Sequence, residues 1–225
     1  MLDSHPRVSC YGELLLPEGT GKHPVGAQDT VPLSDVLRER RSGSLARHLE
    51  GWRYLDRLYG GQAESVGFKL MYAQVRAFPW LLAYLAVRRV KVLHVVRTNK
   101  FDQVLSRIVA RETDQYHVLP GEEVIQGKVR VDVDELVDQM EWEERKVGQF
   151  RRLLSLLPVP SLEVSYESLV SGETGYETLL RFVGVAPEGD LISRLTRIGS
   201  RTYEERIENY DEVRKALGAR RAGEI

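Results

Sequence analysis

The segment HVVRTNKFDQVLSR puts Arg97 directly after a Val-rich run, with Ser106 further along in the helix that follows. An Arg side chain carries a permanently charged fork of donors suited to a phosphate, and a helix opening adds backbone N–H groups aimed at an anion. A serine further along the helix donates one more hydrogen bond. The chemistry these residue types point to is the holding of a phosphate group. They also suit an ordinary strand-to-helix junction with solvated polar side chains, and spacing alone does not single out the phosphate reading.

Either reading needs a strand to deliver Arg97 and a helix to carry Ser106. Val90–Val96 (VKVLHVV) is the clearest strand pattern in the chain, and a helix is expected after Asn99 through about Arg111. Ser65–Met71 (SVGFKLM) and Ser161–Tyr166 (SLEVSY) read as two further strands. Helical spacing marks Ser34–Leu58, Tyr72–Leu85, Val133–Leu157, Tyr176–Val183 and Tyr203–Leu217. Pro158 and Pro160 stop the third of these, while Gly184 and Gly218 end the last two. Residues 1–12 read as the end of a helix closed by Pro6, and Pro17–Pro32 and residues 116–131 read as loops. Strands separated by helices imply an α/β fold with a parallel sheet and right-handed crossovers. Ligands of such sheets bind beyond the carboxyl ends of the strands, which sets Lys69, Arg97 and Tyr166 near one rim.

The length of 225 residues fits a single domain, 1–225, with a sizeable core. A formal net charge of −1 gives no support for a nucleic-acid or anionic-membrane binder. Cys10 stands alone, which excludes an intrachain disulfide and a cysteine-based zinc site and fits a cytoplasmic setting. The scattered histidines form no metal constellation; His5 and His94 read as structural, the latter as core. The apolar run Trp80–Val87 is too short to span a bilayer, and the N-terminus lacks the pattern of a secretory signal.

The Arg97 and Ser106 pattern, Arg-x-Asn followed by a serine, resembles the sulfotransferases of the bacterial and carbohydrate branches. In order along the chain, DSHPRVSCYGELL, VGFKLMYAQ, LEVSYESLVSG with LLRFVGV, and RIENYDEVRKAL are similar to further stretches of that family. The resemblance implies a P-loop-nucleotide-hydrolase-like parallel sheet flanked by helices. It also implies 3′-phosphoadenosine 5′-phosphosulfate as sulfuryl donor and a hydroxyl or amine of a carbohydrate, glycolipid or small molecule as acceptor, with no metal. Under it, Arg97 and Ser106 hold the 3′-phosphate, Glu13 is the catalytic base, and Lys69 touches the transferring sulfate. Arg197 and Arg201 supply cations that close over the donor. Each role has a plainer counterpart: a surface pair for Glu13, a snorkelling strand-end lysine for Lys69, a solvated basic loop for the two arginines. Met71 stands where the cytosolic animal branch places a catalytic histidine.

One family element is absent from the sequence: the strand and Gly/Ser/Thr-rich loop that cradle the donor's 5′-phosphosulfate. Arg41-Ser42-Gly43-Ser44 does not replace it, because the polar stretch before it is no buried strand. The expectation is therefore a domain incomplete at its N-terminus, with the missing central strand falling between Val90–Val96 and Ser161–Tyr166. Such a chain either starts further upstream than Met1 or is a truncated, non-catalytic relic or interaction module. The lack of any Gly-Lys-Ser/Thr sequence argues against a phosphate-loop kinase.

Overall fold

The computed structural model describes residues 2–15, 44–115, 127–172, 174–187 and 202–223. In chain order they form β1 (Val8–Glu13), α1 (Ser44–Tyr59), β2 (Ser65–Lys69), α2 (Tyr72–Ala77), α3 (Trp80–Arg88), β3 (Val92–Val96) and α4 (Lys100–Thr113). These are followed by α5 (Val133–Leu156), β4 (Ser161–Ser165), α6 (Tyr166–Ser171), α7 (Tyr176–Val183), α8 (Tyr203–Arg206) and α9 (Tyr210–Gly223). The fold is mixed α/β, and among the described residues no helix is long and apolar enough to cross a membrane. The expected loop Pro17–Pro32, residues 34–43 of the expected first helix, and residues 116–126 lie outside the described residues.

Two compact units share the chain. The described residues of Met1–Val95, Phe150–Val164 and Ser168–Ile192 form the first; those of Val96–Gln149, Ser165–Glu167 and Ser193–Ile225 form the second. The strands make two separate parallel pairs, β1 with β2 and β3 with β4. The sheet is closed up at the place where a strand of the family's sheet was expected to be missing. β3 and β4 are direct neighbours, with Val92 N–H donating to Pro160 C=O at 2.8 Å, so no strand fits between them.

In the first unit, α1 and α3 cover one another through Tyr54, Leu55, Leu58, Leu81 and Tyr84, joined by Leu14 and Leu15 just beyond β1. A second apolar cluster of Val164, Leu169 and Leu179 takes in Leu93 and Leu162 from the β3–β4 pair. A polar network runs beside it, with His94 buried and Glu163 and Arg151 partly exposed. His94 Nδ1 lies 3.0 Å from Glu163 Oε2, and His94 Nε2 lies 2.6 Å from Tyr72 Oη. Arg151 grips Glu163 with Nε and Nη2 at 2.7–3.1 Å, and that bond is the main reason the Glu163 carboxyl titrates lower than an ordinary glutamate. His94 is thus buried in the strand with both ring nitrogens engaged. The second unit is built on Val104, Leu105 and Ile108 of α4, packed with Val129, Val131, Leu136, Ile207 and Val213. Glu143 of α5 is buried there with Arg107 at 2.9 Å and Lys146 at 2.8 Å.

Three elements differ from the sequence reading for local reasons. β1 occupies residues expected to end a helix: Pro6 closes only a short 3-10 turn, Leu2–Ser4, and Val8 then enters an extended pairing. The helix expected over Tyr72–Leu85 breaks at Phe78-Pro79, because Pro79 lacks an N–H and biases Phe78 away from helical backbone. The helix expected over Tyr203–Leu217 breaks at Ile207, whose extended backbone bridges Val129, and α9 continues past Gly218 to Gly223.

Two helical glycines give a paired test of the packing. A Cβ on Gly51 of α1 would stand 2.5 Å from the Trp80 indole, whereas one on Gly148 of α5 would meet nothing within 4 Å. Gly148→Ala is expected to stabilise the protein by about 0.5–1 kcal/mol through helix propensity. Gly51→Ala is expected to destabilise it by about 1–2 kcal/mol, since overpacking outweighs the same gain. Urea melts of both variants check the opposite signs.

Candidate functional site

The second unit brings Arg97 and Ser106 into one polar chain. Residues Phe101, Val104, Leu105 and Ile108 put an apolar stripe on α4 and bury it in the core. Asp102 and Ser106, one turn apart, therefore share another face of the same helix. Arg206 lies across both, with Nη1 3.3 Å from Asp102 Oδ1 and Nη2 donating to Ser106 Oγ at 3.5 Å. Arg97 approaches the other carboxylate oxygen, Nη1 to Oδ2 at 4.0 Å, and its guanidinium lies 4.2 Å over the Tyr166 ring. Arg206 is buried, its side chain 11% exposed, while Arg97 and Asp102 are about a third and a quarter exposed, at 32% and 26%.

The backbone around Arg206 explains how it is aimed. Its carbonyl accepts from Val129 N–H at 2.9 Å, and Glu208 N–H returns to Val129 C=O at 3.0 Å. Asn209 clamps the neighbouring Val131 in the same strand-like manner, accepting from its N–H at 3.0 Å and donating to its C=O at 2.9 Å. Ile207 between them is fully buried. Tyr203 at the head of α8 packs edge-on against Phe101 and accepts from Asn99 Nδ2 at 3.3 Å. Thus the Ile-Glu-Asn-Tyr stretch fastens α8 to the residues before α5 and to the start of α4.

Two backbone N–H groups just ahead of α4 are occupied by a carboxylate. Glu167 Oε1 and Oε2 accept from Thr98 N–H at 3.1 and 3.0 Å, and Oε1 accepts from Asn99 N–H at 3.1 Å. Asn99 Oδ1 caps α4 by accepting from Asp102 N–H at 2.9 Å. Burial works against the Glu167 charge, but the backbone N–H groups outweigh it and bring its carboxyl down to about 2. The backbone N–H groups of Thr98 and Asn99, just ahead of α4, are thus taken by the protein's own carboxylate.

In the first unit Glu13 and Lys69 meet. The β1–β2 register runs Val8↔Ser65 through Tyr11↔Phe68 and then shifts, so that Glu13 rather than Gly12 pairs with Lys69. The extra residue is a bulge, and it brings Glu13 to the side on which Lys69 projects, where regular alternation would turn it away. Lys69 Nζ lies 2.6 Å from Glu13 Oε1, with the side chains 58% and 26% exposed. Arg197 and Arg201 lie outside the described residues, as do Arg41, Ser42 and Gly43; Ser44 opens α1.

Sequence reasoning missed Arg206 and Asp102. Arg206 stands in a run of charged residues that reads as a solvated helix face, and Asp102 in a first turn reads as a complement to the helix dipole. Only the Val129–Ile207 bridge, a long-range pairing, separates Arg206 from its neighbours. Among the described residues no group of three or more His, Cys, Asp or Glu side chains is placed to hold a metal ion. No family model, curated protein or solved structure matches the chain.

Glu167 supplies a pH test. Its folded carboxyl is depressed below the ordinary glutamate value of 4.5, so its stabilisation is present above about pH 4.5 and disappears as pH falls toward 2. Glu167→Gln is expected to cost about 1–2 kcal/mol at pH 7. In urea melts that difference should shrink steadily from pH 5 to pH 2; a constant difference would show that the charge plays no part.

Proposed function

We propose that this chain takes part in sulfuryl transfer from 3′-phosphoadenosine 5′-phosphosulfate to a hydroxyl or amine of a carbohydrate, glycolipid or small-molecule acceptor. The observation that carries the proposal is the polar chain of the second unit. Arg97 and Ser106, nominated from the sequence for a ribose 3′-phosphate, are linked through Asp102 and Arg206 on one face of α4. Two guanidiniums and a hydroxyl form a donor set suited to a phosphate monoester, with the Tyr166 ring supporting Arg97.

The Glu13–Lys69 contact adds separate support, since an acid–base group and a cation stand together in the first unit. In the proposed reaction the acceptor oxygen or nitrogen attacks sulfur, and the sulfur–oxygen bond to the 5′-phosphate breaks with its electron pair leaving on that phosphate. The acceptor's proton passes to the Glu13 carboxylate, and Lys69 balances charge on the oxygens of the transferring group. The products are a sulfated acceptor and adenosine 3′,5′-bisphosphate. Arg197 and Arg201 keep their proposed role as cations over the donor.

One observation favours a second reading, a non-catalytic interaction module of the same class. Among the described residues the strands form two separate pairs, and no Gly/Ser-rich loop links a strand to a helix as a 5′-phosphosulfate cradle would. Two measurements separate the readings. Calorimetry with adenosine 3′,5′-bisphosphate is expected to show binding that weakens at least tenfold in Arg97→Ala. Sulfate transfer from labelled donor is expected to fall about 10²- to 10⁴-fold in Glu13→Gln. Nucleotide binding without any transfer would favour the module, and full transfer by Glu13→Gln would remove that residue from the mechanism.

A further inference from the structure

Asp102 stands in the middle of the phosphate-binding set, which is an unexpected place for a carboxylate. Its two oxygens face the two guanidiniums separately, Oδ1 toward Arg206 Nη1 at 3.3 Å and Oδ2 toward Arg97 Nη1 at 4.0 Å. That is the arrangement a bridging anion takes between two arginines. Asp102 is not needed to cap α4, because Asn99 does so through its own side chain. As the acid in the first turn it complements the helix dipole, while the N–H groups of Thr98 and Asn99 go to Glu167. Its carboxylate contacts are to the two arginines, and Arg206, being buried, requires such a partner when nothing else supplies one.

We infer that Asp102 is an exchangeable counter-anion: the ligand's phosphate enters by displacing this carboxylate from Arg97 and Arg206. The inference rests on the nucleotide reading above and adds to it a basis for selectivity. With Asp102 in place, two positive charges face one negative charge, so the set has room for little additional anion. A phosphate monoester that displaces it brings two negative charges and satisfies both guanidiniums fully. A singly charged group gains almost nothing by the exchange, since it only repeats what Asp102 already provides. Ser106 Oγ, within reach of the same Arg206 nitrogen pair, adds a hydrogen bond that the carboxylate does not use. The site therefore selects a dianionic 3′-phosphate and disfavours nucleotides that lack one.

The test compares Asp102→Asn with the unaltered protein, using calorimetry and thermal melts with adenosine 3′,5′-bisphosphate and adenosine 5′-phosphate. The variant is expected to melt lower without ligand, bind the bisphosphate about tenfold more tightly, and show a larger ligand-induced rise in Tm. Affinity for adenosine 5′-phosphate should stay unchanged, because no group on it reaches the exchanged position. A variant that melts lower and binds the bisphosphate equally or more weakly would show Asp102 to be a structural support, and would overturn the inference. If the unaltered protein binds bisphosphate and Arg97→Ala does not, that failure leaves the nucleotide reading intact. If neither the unaltered protein nor Asp102→Asn binds it, both fall. Should the variant fail to fold, the Nε–H resonances of Arg97 and Arg206 report on the unaltered protein. Both are expected to shift on titration with bisphosphate, and movement of Arg97 alone would overturn the exchange.

Discussion

Arg206 is a buried guanidinium, and a buried guanidinium left without a partner costs roughly 3–5 kcal/mol. Much of the second unit answers that constraint. Asp102 and Ser106 can reach it together only because they lie one turn apart on α4, and they share a face only because the apolar stripe of that helix is buried elsewhere. Arg206 in turn can reach them only because α8 ends at Ile207 and the chain turns to bridge Val129. The break in the helix and the position of the cation are thus one structural event. A continuous helix from Tyr203 onward would forgo the Val129 pairing and carry the guanidinium out of reach of α4.

The first unit solves a comparable problem in a strand. Parallel strands alternate their side chains with a period of two, so neighbouring residues on one strand face opposite ways. Glu13 would project with Tyr11, away from Lys69, if β1 kept its register. One inserted residue at Gly12 reverses that relation and produces a 2.6 Å ion pair. An exposed pair of this kind contributes little to stability, so a bulge that creates it is poorly explained by folding alone. By contrast, the His94, Glu163 and Arg151 network ties Arg151, near the end of α5, to His94 of β3 and Glu163 of β4, with His94 buried. Its role is structural, in keeping with the assignment of His94 to the core.

Periodicity carried the regular elements well. The strands at Ser65, Val92 and Ser161 and the helices at Lys100, Val133 and Tyr176 all lie within a few residues of their expected spans, because apolar spacing there is regular and the ends carry Pro, Gly or a cap. Legibility failed where a long-range contact overrides local pattern. The residues of β1 follow Pro6 closely and read locally as the end of a helix; pairing with β2 makes them a strand. Ile207 reads as one more apolar position of a helix, and its bridge to Val129 is invisible in sequence. The candidate site follows the same rule. Arg97 and Ser106 were legible because both sit at a strand-to-helix junction, whereas Arg206 comes from a distant segment through a single bridged residue.

The carboxylate seated ahead of α4 bears directly on the proposed anion site. A phosphate loop works by presenting several backbone N–H groups, which are indifferent to side-chain identity and tolerate only close, small residues. Here Glu167 has taken the N–H groups of Thr98 and Asn99, and its depressed carboxyl shows how firmly it holds them. Under the proposed function, the guanidiniums of Arg97 and Arg206, which approach from two segments, offer the planar, paired donors. That makes Arg97 and Arg206 poor candidates for exchange with lysine, because a lysine would keep the charge and lose the fork. It also places the strength of the site under the control of whatever anion stands between those forks. Within the protein itself, that anion is Asp102.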